Sequence, residues 1–171
     1  VLEKNDDLKR IRKKITECKK NNKIVAFLIK NKFIKNKKIQ KKNSPNKNII
    51  ERKFFINLLL KKIEKNTSII STTGYTSREL MQLRKDKNNR NGKDFYMVGG
   101  MGHASSVALG VSMQNKKVIC IDGDGSLIMH MGSLVTNRVY SNKKFKHIVL
   151  NNNSHESVGG YKTNAKNINF K

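Results

Sequence analysis

Short apolar runs rich in β-branched residues alternate with longer runs of helical spacing in this chain, and no other feature restricts its fold as much. The runs typical of buried strands lie at residues 67–73, 94–98, 117–122 and 146–152. Runs of helical spacing separate them, at residues 76–84, 103–113 and 126–140. This alternation predicts an α/β domain with a largely parallel sheet flanked by helices.

Before residue 67 the sequence predicts two helices, a strand and a linker. The helices lie at 4–20 and 49–63, and their apolar residues recur at helical steps: Leu8, Ile11, Ile15 and Cys18 in the first, Ile50, Phe54 and Leu58 in the second. "KIVAFLI" at 23–29 is typical of a buried strand, and the Lys/Asn-rich stretch 35–48, with the only proline, is typical of a linker. We therefore expect residues 1–34 to end one α/β domain and residues 49–171 to form another.

Two finer predictions concern the helices of the second domain. Thr76 and Glu79 have the spacing of a capping box at the start of a helix. In the run 126–140 we expect one continuous helix, with one apolar face formed by Leu127, Met131, Leu134 and Val135.

The charge of the chain is strongly positive, with 37 Lys and Arg against 12 Asp and Glu, a formal net charge of +25. Such an excess is compatible with nucleic-acid binding. The basic residues are mostly lysines mixed with Asn and Ile, and aromatic residues do not alternate with them as a base-stacking surface requires. We therefore favour compositional bias and expect no specific nucleic-acid partner.

Cysteine usage and hydropathy suggest where the protein resides. The two cysteines, Cys18 and Cys120, have neither the spacing of a metal site nor that of a disulfide framework, which favours a reducing compartment. No run reaches the roughly 18 apolar residues of a membrane helix. We expect a cytoplasmic protein without membrane contact, and because the chain begins at Val1, we expect a piece of a longer one.

Glycine and small polar residues follow each predicted strand, in "STTG", "VGGMG", "DGDGS" and "NNNSHE". Parallel strands end at the same edge of a sheet, where α/β proteins bind their ligands. The four segments therefore predict a single site.

The segment "DGDGS" at 122–126 could belong to several kinds of loop. A calcium loop fails, because Leu127 and Ser133 stand where the pattern requires glycine and glutamate. The glycines of "GGMGHA" do not match G-x-G-x-x-G, and no G-K-[ST] of a phosphate-binding loop occurs. In isolation, "DGDG" would indicate only a tight turn before a helix.

The following strand changes this interpretation, because it ends in Asn151 and Asn152. Asp124 and Asn152 would thus present a carboxylate and an amide oxygen at neighbouring strand ends, and Mg²⁺ prefers such hard ligands beside phosphate groups. Gly125 would let the backbone approach a phosphate, and the amides that open the helix at Ser126 would face the anion. The sequence therefore predicts a metal and diphosphate site.

These residues lie in segments that resemble a known family. "IISTTGYTSREL", "YMVGGMGHASSVALG", "VICIDGDGSLIMHMGSL" and "HIVLNNNSHESVGGYKT" are similar to the diphosphate-binding domain of thiamine-diphosphate-dependent decarboxylases, in particular the phosphonopyruvate decarboxylases. The resemblance is strong over residues 67–163. It is weak over 23–35, which resembles the end of a pyrimidine-binding domain. Sulfopyruvate decarboxylases carry similar motifs.

The resemblance implies a role for each matching residue. The implied metal ligands are Asp124, Asn152 and the backbone oxygen of Ser154. The implied cofactor contacts are Gly123, Gly125 and Ser126 on one side of the diphosphate, Gly74, Tyr75 and Thr76 on the other, Gly99 at the aminopyrimidine and Met101 as the apolar residue that bends the cofactor. Tyr75 departs from the family pattern "TTGKTSRE", which has lysine at this position.

The histidines are weighed by their position. His155 and Glu156 follow the metal-binding loop and His103 follows "GGMG", so these three are the candidate catalytic residues that would hydrogen-bond substrate or relay protons. Ser157 is a weaker candidate. His130 is expected to be structural and His147 to lie at the surface.

As a whole, the resemblance implies a thiamine diphosphate- and Mg²⁺-dependent decarboxylase. It would convert 3-phosphonopyruvate to phosphonoacetaldehyde and carbon dioxide in phosphonate biosynthesis. Decarboxylation of sulfopyruvate or another 2-oxoacid is the alternative reaction, and a cationic binding module with a vestigial site is the alternative outside enzymes. The resemblance also implies a homo-oligomer with sites at subunit interfaces. Because the family's activating glutamate comes from the other domain, we expect the isolated piece to be inactive.

Overall fold

The computed structural model describes residues 8–23, 50–86, 89 and 92–170. They fall into two units, Val1–Ser44 and Pro45–Lys171. In the first unit, helix α1 (Leu8–Lys20) confirms the predicted helix over its described part. The predicted strand at 23–29, apart from Lys23, and the predicted linker at 35–48 lie outside the described residues.

The second unit contains a four-stranded parallel sheet with the strand order β2-β1-β3-β4. Its strands are β1 (Ser68–Ser71), β2 (Lys93–Tyr96), β3 (Val118–Gly123) and β4 (Phe145–Leu150). The two central strands, β1 and β3, are buried over almost their whole length. Their apolar runs are continuous because helices cover both faces of a parallel sheet, and the predicted fold class is confirmed.

Helices cover both faces of the sheet: α2 (Arg52–Lys62) and α3 (Tyr75–Arg84) on one, α4 (Ala104–Met113) on the other. Successive side chains of a strand point to opposite faces. Accordingly, Ile119 and Ile121 of β3 pack with α2 and α3, whereas Val118 and Cys120 pack with α4. None of the helices within the described ranges is long and apolar enough to cross a membrane.

The predicted helix at 126–140 is two helices, α5 (Asp124–Met129) and α6 (Ser133–Tyr140), so the prediction of one continuous helix is wrong. The chain packs tightly at the break, where a Cβ on Gly102 would lie 3.0 Å from Cβ of His130. Gly132 follows and lowers the helix propensity. The predicted apolar face is divided, because Leu127 is buried while Val135 is 70% exposed.

The helix predicted at 49–63 is α2, and the capping box predicted for α3 needs correction. The residues whose spacing predicted α2, namely Ile50, Phe54 and Leu58, are exposed, whereas Ile56 and Leu60 enter the core. At the start of α3 the capping box does not form. Gly74 is the N-cap without a side-chain bond, and Glu79 accepts two hydrogen bonds from Arg52 instead. A charge-assisted bidentate pair is stronger than a cap to a backbone amide.

A small antiparallel ribbon follows the main sheet. Strands β5 (Ser154–His155) and β6 (Tyr161–Lys162) pair with each other, and a 3₁₀ turn (Glu156–Val158) lies between them. Thr163, directly after the ribbon, donates its backbone N–H to the carbonyl of Asn153 at 3.1 Å. The ribbon therefore folds back toward the carboxyl end of β4.

The two free cysteines differ in accessibility, which gives a direct test of the fold. Cys120 is fully buried, and burial together with Asp122 raises the pKa of its thiol well above the usual range. Cys18 is partly exposed on α1. We expect a thiol reagent at pH 8 to label Cys18 rapidly and Cys120 only on unfolding, because the thiolate is the reactive form. Rapid labelling in a Cys18→Ser variant would contradict this core assignment.

Candidate functional site

The candidate site lies at the carboxyl edge of the sheet, where the loops after neighbouring strands diverge. Strands β1 and β3 are neighbours. The loop after β1 leads to α3 on one face, whereas the loop after β3 leads to α5 and α6, and α6 packs against α4 on the other face. Divergence of this kind opens a crevice at the strand ends, the usual binding position in α/β sheets.

Ser126 joins three of the predicted segments. Its buried hydroxyl oxygen accepts hydrogen bonds from the Thr72 hydroxyl, at 2.9 Å, and from the Gly102 backbone N–H, at 3.0 Å. Thr72 follows β1, Gly102 ends the "GGMG" loop and Ser126 lies in α5. The structure thus brings together the ends of β1 and β3 and the loop after β2.

Asp124 and Asn152, the predicted metal ligands, follow neighbouring strands. Gly123 pairs with Leu150 across β3 and β4, so the two residues leave the sheet at nearby positions. The carboxylate of Asp124 is buried, and its Oδ2 accepts a hydrogen bond from the Thr163 hydroxyl. Asn152 is exposed, and its Oδ1 accepts the Ser154 backbone N–H at 3.1 Å. The amide oxygen therefore already lies toward the Ser154 turn.

His155 lies directly over Gly125. A Cβ on Gly125 would stand 2.6 Å from Nδ1 of His155 and 3.2 Å from Cγ2 of Thr163. Only glycine leaves room for this ring, so the structure gives Gly125 a steric role that the sequence reasoning did not include. The same contact brings the candidate residue His155 beside the start of α5, where Asp124 lies.

Residues of the β5–β6 ribbon also reach the loop after β1. Gly74 has a φ of 91°, which favours glycine. A Cβ there would stand 2.9 Å from Oγ of Ser157. The neighbouring Tyr75 is partly exposed, and the guanidinium groups of Arg52 and Arg78 lie 5.7 and 5.3 Å from its ring centroid. Although Tyr75 replaces the lysine of the family pattern, two cations lie beside it.

Glycines and Met101 shape the loop after β2. Gly99 has a φ of 68°, and nothing lies within 4 Å of a Cβ built on it. Met101 is partly buried, and its carbonyl lies 3.2 Å from Nδ1 of His103. His103 stacks on His130 with ring centroids 4.5 Å apart. Both residues are exposed, so this stack lies at the surface, and a structural role for His130 stays a prediction.

His147 is not at the surface, contrary to the prediction. Its side chain is 11% exposed, and Nε2 lies 3.4 Å from Oδ2 of Asp122, whose Oδ1 accepts the Gly123 N–H. With Cys120, these residues place three potential metal-ligand atoms within 4.8 Å of one another. Each oxygen of the Asp122 carboxylate already has a partner. The cluster is therefore explained as a buried hydrogen-bonded pair of Asp122 and His147 with Cys120 beside it.

Two residues at the site are not predicted from the sequence. Thr163 donates to Asp124, and Arg52 binds Glu156 at 3.0 Å. Glu156, a candidate catalytic residue, therefore has its carboxylate turned toward α2. Neither partner has a sequence signal, because each contact joins residues far apart in the chain.

A cavity of about 270 Å³ lies at the opposite edge of the sheet. It is lined by residues that precede the strands, including Thr67 and Lys117, and by four further lysines: Lys62, Lys143, Lys144 and Lys146. Lys117 binds Glu64, which lowers the pKa of that carboxyl group, and Lys144 donates to Asn115. Because these lysines lie at the opposite edge of the sheet, their positive charge is separate from the candidate site.

Comparisons with known proteins find similarity over most of the second unit. Residues 72–170 match the family described as "Thiamine pyrophosphate enzyme, C-terminal TPP binding domain". The chain is 42% identical over 106 residues to phosphonopyruvate decarboxylase of Streptomyces viridochromogenes, covering 61% of this chain and 25% of that protein. It is 38% identical over 118 residues to sulfopyruvate decarboxylase subunit beta of Methanocaldococcus jannaschii, covering 66% of this chain and 60% of that subunit. The match thus spans a quarter of the first relative and well over half of the second.

Proposed function

The chain belongs to the thiamine pyrophosphate enzymes, matching their C-terminal TPP binding domain, and from this membership we propose that it forms the diphosphate- and Mg²⁺-binding part of a 2-oxoacid decarboxylase. The observation that carries the proposal is the placement of Asp124 and Asn152 after neighbouring parallel strands, beside the glycines of the crevice. Pyrophosphate and diphosphate are two names for the same group.

The residues at the crevice fit the proposed ligands. Asp124, Asn152 and the Ser154 carbonyl would supply only oxygen donors, which is the preference of Mg²⁺. Gly99 and Gly74 have positive φ values that side chains disfavour, and Gly99 leaves its surroundings open. Backbone can therefore approach a ligand closely at Gly99, in the loop after β2, whereas Ser157 occupies the space beside Gly74. The proposed cofactor contacts are completed by Tyr75, Thr76, Met101, Gly123, Gly125 and Ser126.

Thiamine diphosphate, when bound, supplies the electron sink that a 2-oxoacid needs to lose carbon dioxide. The protein's share is to bind, orient and exclude water. Asp124 and Asn152 would anchor the metal, and we assign the metal to anchoring rather than to activation of the substrate. His155, beside Gly125, and His103, beside Met101, are the proposed residues that hydrogen-bond the substrate or move protons.

We propose 3-phosphonopyruvate as the substrate and sulfopyruvate as the alternative. The Streptomyces viridochromogenes phosphonopyruvate decarboxylase is 42% identical to this chain over the matched residues, slightly above the 38% of the sulfopyruvate subunit. Both substrates would present an anionic group next to a 2-oxoacid.

The experiment is a comparison of carbon dioxide release from phosphonopyruvate, sulfopyruvate and pyruvate. The full-length protein is assayed with thiamine diphosphate and Mg²⁺. We expect kcat/KM for phosphonopyruvate to exceed that for sulfopyruvate by at least about 10-fold, because a site that pairs with one anionic group discriminates against another shape. A preference for sulfopyruvate would establish the alternative, and turnover of pyruvate alone would contradict both.

We also propose an oligomer in which subunits meet near the site. Several large apolar residues of α6 are exposed: Val135, Val139 and Tyr140. Contiguous exposed apolar residues are typical of protein interfaces. The molar mass from light scattering should be a multiple of the chain mass, and Val139→Glu should lower it.

A cytoplasmic location completes the proposal, and the two free cysteines agree with a reducing compartment.

A further inference from the structure

Arg52 connects three parts of the chain that are distant in sequence. It begins α2, before the residues that match the family. Its Nε and Nη2 each donate to a carboxylate oxygen of Glu79 in α3 at 2.8 Å, and its Nη1 donates to Oε2 of Glu156 at 3.0 Å. One planar guanidinium group therefore holds one helix and the turn of the β5–β6 ribbon.

The geometry of this contact is specific to arginine. The side chains of Arg52 and Glu79 are each 22% exposed, so both charges are largely removed from water. Their bidentate pairing leaves a further N–H to reach Glu156. Hydrogen bonding to Glu79 is the main reason why the pKa of Arg52 is raised, and Glu156 raises it further. A lysine carries one ammonium group and cannot reproduce this fork.

Glu156 transmits the contact to the metal-binding loop. Its Oε2, which accepts from Arg52, also lies 3.5 Å from Nδ2 of Asn152. An Asn amide whose nitrogen faces a carboxylate presents its oxygen on the other side. The neighbours of Glu156 reinforce the effect, because His155 lies over Gly125 and Ser157 lies against Gly74.

We infer that Arg52 is a positioning residue, which through Glu156 orients the amide of Asn152 and holds His155 over Gly125. The inference rests on the proposed function in one respect, since it takes Asn152 to be a metal ligand. It assigns to Glu156 a role in orientation rather than in proton transfer. Partners behind a metal ligand commonly change metal affinity by about 10–100-fold when they are removed.

A second ion pair of the same kind provides a matched control. Arg84 binds Asp94 through Nε at 2.6 Å and Nη2 at 2.9 Å, and the two side chains are 10% and 5% exposed. This pair joins α3 to β2 instead of to the ribbon. If Arg52 served only to stabilise the fold, Arg84→Gln and Arg52→Gln would change cofactor binding alike.

The test uses the full-length protein with Arg52→Gln, Glu156→Gln, the double variant and Arg84→Gln. Titration calorimetry measures Mg²⁺-dependent binding of thiamine diphosphate. Arg52→Gln and Glu156→Gln should each weaken binding by about 10–100-fold, and the double variant should be no weaker than Arg52→Gln. Arg84→Gln should bind like the wild type although it unfolds at a lower temperature.

Amide hydrogen exchange without cofactor is the second readout. Arg52→Gln should accelerate exchange over residues 152–160 by about 10-fold or more, since local contacts set local opening, and Arg84→Gln should not.

Wild-type exchange and affinity in Arg52→Gln would overturn the inference. If Arg52→Gln does not fold, Glu156→Gln decides alone, because it keeps the bond to Glu79. If the wild type binds no cofactor, the proposed function fails while exchange still decides whether Arg52 holds the ribbon.

Discussion

Replacing Asp124 by asparagine is expected to abolish Mg²⁺-dependent binding of thiamine diphosphate. Asp124 is the only charged group among the three proposed metal ligands, and the number of charged ligands sets the affinity of a site for a divalent cation, so loss of this charge should cost more than about 100-fold. Titration calorimetry of the full-length protein measures the effect. Thr163→Val, which removes the hydroxyl donor to Asp124, should weaken binding by about 10–100-fold.

Stability without cofactor separates loss of the ligand's charge from loss of the fold. Asp124 is 2% exposed, and a buried carboxylate is costly to desolvate. The asparagine side chain would remove that charge and keep an acceptor for Thr163, so Asp124→Asn should unfold at the same temperature as the wild type or above it.

Asp122→Asn is the matched control. It should lose about 1–3 kcal/mol of stability by weakening the contact with His147 but retain cofactor affinity within a few-fold. Equal cofactor affinity in Asp124→Asn and the wild type would contradict the metal assignment.

Replacing Gly125 by alanine is expected to displace the ring of His155 and to destabilise the protein by about 1 kcal/mol, the low end of the cost of overpacking, because the side chain that must move is only partly buried. The new Cβ would lie 2.6 Å from Nδ1 of His155, so the ring must leave its position over the loop. Chemical denaturation measures the loss. Gly110→Ala is the control, since nothing lies within 4 Å of a Cβ there and alanine favours a helix by about 0.5–1 kcal/mol over glycine.

A double variant identifies the physical cause. His155→Ala removes the ring that the new methyl group at position 125 would meet, so Gly125→Ala combined with His155→Ala should lose less than the sum of the two single effects. Additive losses would mean that Gly125 is needed for another reason. If the ring of His155 helps to order the start of α5, cofactor affinity should also fall in His155→Ala.

Much of the second unit could be predicted from local patterns. The strands at 68–71 and 118–123 and the helices at 75–84 and 104–113 fall within a residue or two of the predicted runs. Periodicity is a local property, and a buried parallel strand shows it as a continuous apolar run. The meeting of strand ends was predictable for a similar reason, since every strand of a parallel sheet ends at the same edge.

Predictions that depended on which side of a helix meets the core were less successful. Phe54 is 57% exposed while Ile56, two positions later, is fully buried. Both belong to a helix with apolar residues on several sides, and only the position of α2 against the sheet selects one. The break between α5 and α6 depends in the same way on the approach of Gly102 to His130.

The sequence by itself determined the alternation of the four sheet strands with helices, the α/β class and the position of Asp124 and Asn152 after two strands, but not the break between α5 and α6 or the β5–β6 ribbon. These follow from spacing along the chain and from the geometry that all parallel sheets share. Only the tertiary structure decided that Thr163 binds Asp124, that His155 covers Gly125 and that Arg52 joins Glu79 to Glu156. Such contacts connect residues that are remote in sequence, and each exists only where packing of the whole unit brings their atoms together.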